Sequence, residues 1–490
     1  MGVIAKQSIR GTAVTYIGVA VGFVTTFFVL TRFLTAEEIG LARVLIDAAT
    51  LFVGLAQLGT TSSIIRFYPY FKSPDRSDNG FFFWTMLVPF IGFALFSLLW
   101  WACHTPLAAW FGDKSPLFID YYYFVLPLAL GMLYQTVFET NANVRMHIVV
   151  PRAVRELLVR VGLLVCYLLY AFRILSLDGF VIALCINYAL AALVNAAYLF
   201  RLGAIQLRPD IDFLRTHPDI VRRYLLYTGF LLVSALASVL APTLSSFFIT
   251  AQMGLDYTGI FAIATYMAVM VSIPYRSLTA IAAPQLAAAI KDNDRAQTSR
   301  LMQQAANNLL LIGGFILLAI WVNIDLIFHI LPNGQLYSQA RTVVLILGLS
   351  QLILATFNIT LNTLNYSRYY AFSLLWSVLL TTTAILCNNL LIPRFGMNGA
   401  ALSNLISYAL YFVGVIATLA LTCRTHPFCR TQLLTLAILA FLFVINELWC
   451  PYCPDNIWLS SILRSFVLLG SGLLLAYRLR LSPEINALIR

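Results

Sequence analysis

The 490-residue sequence is 61% hydrophobic and 10% charged, with a net charge of +11 and a mean hydropathy of +0.86. Soluble domains carry about 25% charged residues, so a soluble fold is excluded and the chain reads as a polytopic membrane protein. Alternation over about ten residues is absent, which excludes an outer-membrane barrel, and the basic residues sit singly at helix ends, which excludes a nucleic-acid-binding patch.

The expected fold is therefore all-α, because helices satisfy their own backbone hydrogen bonds in lipid. About fourteen spans are predicted, each long enough for a core of about 30 Å. In chain order they cover 8–34, 41–66, 81–103, 119–144, 154–173, 179–200, 222–250, 259–285, 305–331, 341–364, 370–392, 398–422, 432–450 and 457–478. The first run continues for a full span without a small-residue cleavage site, so no cleavable signal peptide is expected.

The first two spans are joined by Thr31-Arg32-Phe33-Leu34-Thr35-Ala36-Glu37-Glu38-Ile39-Gly40, a charged turn followed by a glycine that lets the second helix start close to the first. The second span closes on Gly59 and Arg66. Leu34 and Gly40 recur as Met253 and Gly259. Val125, Leu128, Phe138 and Asn143 recur as Val344, Leu347, Phe357 and Asn362, each 219 positions on. Gly179, Asn187 and Tyr188 likewise have counterparts in Gly399, Ser407 and Tyr408. A unit of six spans used twice keeps its orientation, which implies two pseudo-symmetric lobes with a cavity between them. The expected division is an N-lobe over 1–203, an inter-lobe linker over 204–221, a C-lobe over 222–424 and two additional spans over 425–490. An amphipathic segment, Ile211-Asp212-Phe213-Leu214-Arg215, is expected at the interface within the linker.

Lysine and arginine cluster in the connections on one side, from Lys6 and Arg10 through Arg152, Arg215, Arg300 and Arg424 to Arg478. That bias places both termini in the cytoplasm. Every outward connection is short, the longest running from His104 to Phe118. Such loops do not suit a membrane polymerase or ligase, which needs a sizeable external loop.

No Walker loop, Rossmann glycine pattern, zinc-type histidine cluster or GxSxG elbow is present. The expectation is a transporter and not an enzyme, with no catalytic or metal site and no cofactor, driven by a proton or sodium gradient, by membrane potential or by the substrate gradient. The few ionisable residues inside spans then become the candidates, because they are expensive in lipid. Arg276 follows Pro274 deep in the eighth span and suits a phosphate contact through its guanidinium fork, against the plainer reading of an internal ion pair. Arg43 and Asp47 are four apart on one helix face, placed either to satisfy each other or to serve substrate and ion coupling respectively. Glu139 is a proton or sodium candidate, with bonding to Asn141 or Asn143 as the alternative. Arg160 is expected to snorkel. Asp325, Glu447 and Arg464 read as structural or solvated.

Tyr121-Tyr122-Tyr123 reads as an interfacial aromatic belt, with sugar stacking as the alternative. The eight cysteines are scattered. Cys450-Pro451-Tyr452-Cys453 has redox spacing without a thioredoxin-like surround, so a local disulfide is the competing reading.

The opening hairpin resembles the polysaccharide transporter family, the O-antigen and capsule-type flippases of the multidrug/oligosaccharidyl-lipid/polysaccharide (MOP) superfamily. Those proteins carry a pattern close to R-x-L-G-x-E-x-[FY]-G after the first span, then a closing glycine and arginine. Arg32, Leu34, Glu37 or Glu38, Gly40, Gly59 and Arg66 match it, with Thr35-Ala36 at the usual Gly-Pro and Ile39 at the aromatic. The resemblance implies transfer of an undecaprenyl-diphosphate-linked oligosaccharide from the inner to the outer leaflet of the bacterial cytoplasmic membrane. It also implies a basic cavity walled by spans one, two, seven and eight, which would put Arg43 and Arg276 on the wall as substrate contacts; Arg32 is a further candidate substrate contact, and Asp47 and Glu139 are the candidates for ion coupling. The implied partners are the lipid-linked oligosaccharide, membrane lipids and polysaccharide polymerase or assembly proteins; nucleic acid is not among them, and a monomer is sufficient. Within the superfamily, peptidoglycan-precursor flippases carry arginines in the first span and drug/cation antiporters acidic residues there. This first span is uncharged between Arg10 and Arg32.

Overall fold

The structure is a computed structural model. It describes residues 17–71, 78–145, 147–203, 243–452, 454, 456–479 and 481, with isolated positions at 208–210, 215–216, 219 and 224. Some helical side chains within these ranges, Arg276 among them, are outside the description. The described residues are predominantly helical, with no strand among them. Ten helices among them are long and apolar enough to cross a membrane. Much of the expected seventh span and the interfacial segment at 211–214 lie outside the described residues, as does Cys453.

Contacts divide the chain into two units, Met1–Gly259 and Ile260–Arg490. In the first, α1 is Ile17–Phe33, α2 Ala36–Ala56, α3 Thr60–Phe71, α4 Phe81–Ala102 and α5 Val125–Val144. Helix α6 covers 149–171, α7 is Leu177–Arg201, and α8, Leu255–Val269, contributes its first turn. In the second, α9 is Ile273–Lys291, α10 Arg295–Val322, α11 Arg341–Tyr366 and α12 Ala371–Phe395. Helices α13, Met397–Thr422, α14, Arg430–Trp449, and α15, Ile457–Arg478, complete it.

Three expected continuous spans are broken. The second ends at Ala56 and resumes at Thr60, because Leu58 and Gly59 both take positive φ, 47° and 71°. The eighth tightens into a single turn at Met270–Ser272 just ahead of Pro274, which has no N–H to continue the ladder and sits in the first turn of α9. The ninth starts ten residues early, at Arg295, where Asp294 caps the helix by accepting from the Gln297 N–H at 2.9 Å. It then stops at Asn323, whose side chain bonds Ala319 O and Ser465 Oγ. The tyrosine triplet is also not a uniform belt. Tyr122 is fully buried, stacked on Trp100 at 4.4 Å, and Tyr121 donates to Asp178 at 2.5 Å. Tyr123 alone of the three faces outward.

Helix α2 begins with a capping box. Thr35 Oγ1 accepts from the Glu38 N–H at 3.2 Å, and Glu38 Oε2 accepts from the Thr35 N–H at 2.8 Å. One turn on, α2 crosses the start of α8 inside the first unit. A Cβ on Gly40 would lie 2.0 Å from Leu255 O and 3.1 Å from Gly259 N. A Cβ on Gly259 would lie 2.0 Å from Ala36 O and 3.1 Å from Gly40 N. The distances repeat with partners exchanged, as a local two-fold axis through the crossing produces. The glycine that recurs in the sequence is thus packed against its own counterpart.

A side chain at either position must push two backbones apart. Gly40→Ala and Gly259→Ala are each expected to cost about 1–3 kcal/mol. The double substitution should cost less than the two together, because both act on one crossing. Heat-induced loss of the monodisperse peak of detergent-solubilised protein reads this; strict additivity would refute the shared crossing.

Candidate functional site

The first unit holds three groups of ion pairs and one tyrosine–glutamate hydrogen bond among its described residues. On α2, Arg43 Nε meets Asp47 Oδ2 at 2.8 Å, with the Asp47 side chain only 8% exposed. The spacing places both on the stripe of α2 that carries Gly40. At the start of the same helix, the Tyr170 hydroxyl of α6 donates to Glu38, while Glu37 is exposed. Glu38 is therefore the acidic residue of the hairpin motif that is built into the fold.

Glu139 on α5 is buried and does not pair with Asn141 or Asn143. Its Oε1 accepts from Arg155 NH1 at 2.8 Å, and Gln135 reaches its other oxygen at 3.5 Å. Asn141 instead bonds Thr85 and the Val137 carbonyl. Arg155 also meets Glu156 at 3.4 Å, and Glu156 meets Arg160 at 2.9 Å. Arg160 does not simply snorkel: its NH1 donates to the Gly18 carbonyl of α1 at 2.7 Å. Gly18 and Gly22 make room, since a Cβ on Gly18 would lie 2.3 Å from Glu156 O and one on Gly22 would lie 3.0 Å from Arg160 NH1. The wide i→i+5 turn at Val154–Leu158 carries Arg155 and Glu156 into this cluster, a local unwinding frequent at functional positions. Two carboxylates and two guanidiniums in one chain of contacts balance in charge and can exchange partners without leaving a bare charge in lipid.

Below α5, Arg145 NH2 meets Asp78 Oδ2 at 2.8 Å, with side chains 6% and 3% exposed. Arg145 also donates to Asn141 and lies 4.9 Å from the centre of the Tyr68 ring. Sequence spacing could not find this pair, because 67 positions separate its members. Glu156 and Arg160, four apart, carried the same signal as Arg43 and Asp47.

The remaining candidates are placed as follows. Arg32, in the last turn of α1, is exposed, with its guanidinium 5.5 Å from the Phe33 ring centre. Arg43 stands about 12 Å further along α2 from Thr35, at 1.5 Å per residue. Arg276 is in α9, in the second unit, and its side chain is outside the described residues. Also in the second unit, Asp325 pairs with Arg341 at 3.1 Å, Glu447 accepts from Trp321 Nε1 at 2.7 Å, and buried Arg464 reaches Cys450 Sγ at 3.3 Å.

This all-helical, multi-pass chain has the fold of the MOP transporters. A lipid II flippase, MurJ, in its inward closed conformation is similar over 98% of this chain and 100% of its own, with TM-score 0.69 and 12% identity. An inward-facing multidrug resistance MATE family transporter of the MOP superfamily is similar over 87% and 96%, with TM-score 0.61 and 15% identity. A mutant of the Vibrio cholerae MATE transporter VcmN is similar over 85% and 98%, with TM-score 0.58 and 16% identity. No curated protein matches the chain by sequence. The family described as polysaccharide biosynthesis protein matches residues 4–289, and the chain belongs to it.

Breaking a buried pair leaves one charge without compensation, at about 3–5 kcal/mol. Arg145→Gln is expected to lower the thermal stability of the solubilised protein strongly, and Asp78→Asn with Arg145→Gln to recover part of the loss. A double variant no better than the single would show that the pair is not coupled.

Proposed function

We propose that this protein moves an undecaprenyl-diphosphate-linked oligosaccharide, the repeat unit of an O-antigen, capsule or exopolysaccharide, from the inner to the outer leaflet by alternating access. Membership of the polysaccharide biosynthesis family over 4–289 carries this reading. The fold supports it: a chain that aligns with all of a lipid II flippase has the architecture for a lipid-linked cargo. The protein acts as a transporter and not as an enzyme, in the bacterial cytoplasmic membrane with both termini inside, and one chain suffices. The substrate is handed on to polymerase and assembly proteins.

Arg276, Arg43 and Arg32 are the proposed contacts for the diphosphate, whose oxygens match a guanidinium fork. Asp47 and Glu139 are the proposed coupling groups for protons or sodium. No cofactor is required. In a deletion strain, finished oligosaccharide should stay protected from an impermeant sugar label, trapped in the inner leaflet. Labelled, unpolymerised repeat units outside would instead favour a polymerase or ligase. An unchanged lipid-linked sugar pool would favour a multidrug antiporter or a lipid II-type flippase.

Arg276→Ala should abolish surface polysaccharide while the protein remains in the membrane, and Arg276→Lys should restore it in part, because a point charge cannot form the fork. Normal polysaccharide in Arg276→Ala cells would remove that residue from the site. Glu139→Gln should flatten the pH dependence of transport in proteoliposomes; an unchanged pH profile would remove Glu139 from coupling.

A further inference from the structure

The second unit contains a cleft of about 790 Å³ between α10, α11, α13 and α14. Its walls are Leu310, Ile353, Leu405, Leu433 and Leu436, with Leu349 at the far end. Among the polar groups in this lining, Gln432 is already bonded to the Pro427 carbonyl and the Cys429 N–H, which leaves Arg430 and Thr356. Arg430, exposed at the first position of α14, stands at the rim. Thr356 of α11 is 1% exposed, and its hydroxyl has no partner among the described residues. A buried hydroxyl left unbonded costs about 1–3 kcal/mol, so this one is poised for an acceptor that arrives from elsewhere.

The polar groups share one end of the cleft. The Phe357 ring, next to Thr356, lies 5.9 Å from that of Phe428, two residues before Arg430. From that level Leu349 is seven residues back along α11, about 10 Å, and Leu436 is six residues along α14, about 9 Å. The cleft is thus cationic at its mouth, offers one hydroxyl just inside, and is apolar for a further two helical turns. Both helices are lipid-facing here, with Leu433 70% and Leu349 39% exposed.

We propose that this cleft is a binding site for one anionic phospholipid. The phosphate pairs with Arg430, an ester carbonyl accepts from the Thr356 hydroxyl, and one acyl chain fills the leucine-lined depth. The order of charge, hydrogen-bond donor and apolar wall matches the order of phosphate, ester and hydrocarbon in such a lipid. A charged headgroup is selected because an arginine at a membrane surface attracts anionic lipid. This site lies in the second unit and stands independently of the transport reading.

The test is native mass spectrometry of the full chain released from detergent, offered phosphatidylglycerol, phosphatidylcholine or undecaprenyl phosphate. Wild type should retain one phosphatidylglycerol in preference to phosphatidylcholine. Arg430→Gln should lower phosphatidylglycerol retention roughly tenfold and erase the preference, since a charge-assisted hydrogen bond contributes about that much. Thr356→Val, which keeps the shape, should reduce retention of both phospholipids severalfold. Ile353→Trp should abolish both by filling the cleft, and melting of the Thr356→Val and Ile353→Trp proteins no lower than wild type guards against misfolding as the cause. Equal retention of the two phospholipids by wild type, or retention that survives Ile353→Trp, would overturn the proposal. So would displacement of phosphatidylglycerol by undecaprenyl phosphate, which would make the cleft a site for polyprenyl carriers.

Discussion

The first unit depends on a distance that only glycine allows. At the crossing of α2 with the start of α8, each glycine's missing Cβ would lie 2.0 Å from a carbonyl oxygen of the other helix. In lipid there is no hydrophobic drive to press helices together, so close backbone packing has to supply the attraction. The capping box at Thr35 fixes where α2 starts, and therefore which turn presents Gly40. Arg43 and Asp47 follow on the same stripe, so the element that makes the tight contact also carries the ionisable pair. Substitution at the crossing would shift the register of those charges along with the packing.

Charge in this fold is handled by pairing across helices as well as along them. Arg160 ties α6 to the α1 backbone, Arg155 ties α6 to α5, and Arg145 ties α5 to the segment before α4. Each arginine is held by a carboxylate, and two of them also by a carbonyl oxygen. That arrangement lets the helices carry ionised groups at membrane depth without exposing them to hydrocarbon. Glycines at 18 and 22 are part of the same solution, because the guanidinium and the Glu156 backbone occupy the space of their side chains.

The helical class and the repeated hairpin were legible because composition and a constant spacing report them directly. The breaks were not. A hydropathy window sees Ala56 through Thr60 as a pause in an apolar run, whereas the chain turns there on a leucine with φ 47°, a residue type that announces no turn. Asn323 stops α10 by taking over a carbonyl and a neighbouring serine, a tertiary choice invisible to local pattern. Pro274 was the exception, since a missing N–H is written in the sequence itself. The same contrast governs the site. Arg43–Asp47 could be read from its four-residue spacing, whereas the partner of Glu139, Arg155, comes from another helix and no local spacing reports it.

On the proposed transport reading, the paired state of Arg43 sets a condition on mechanism. A guanidinium already bridged at 2.8 Å to a buried carboxylate is not idle, and an incoming diphosphate must compete with Asp47 for it. Neutralising Asp47 with a proton, or drawing it to a sodium ion, would remove that competitor. By linkage, substrate on Arg43 would then favour cation binding at Asp47 to the same degree. One ion pair on one helix face is enough to make cargo and cation interdependent, with no nucleotide site required. The Glu139 cluster differs in kind: Arg155 has a second carboxylate within reach, so a proton taken up by Glu139 can be answered by a shift of Arg155 towards Glu156.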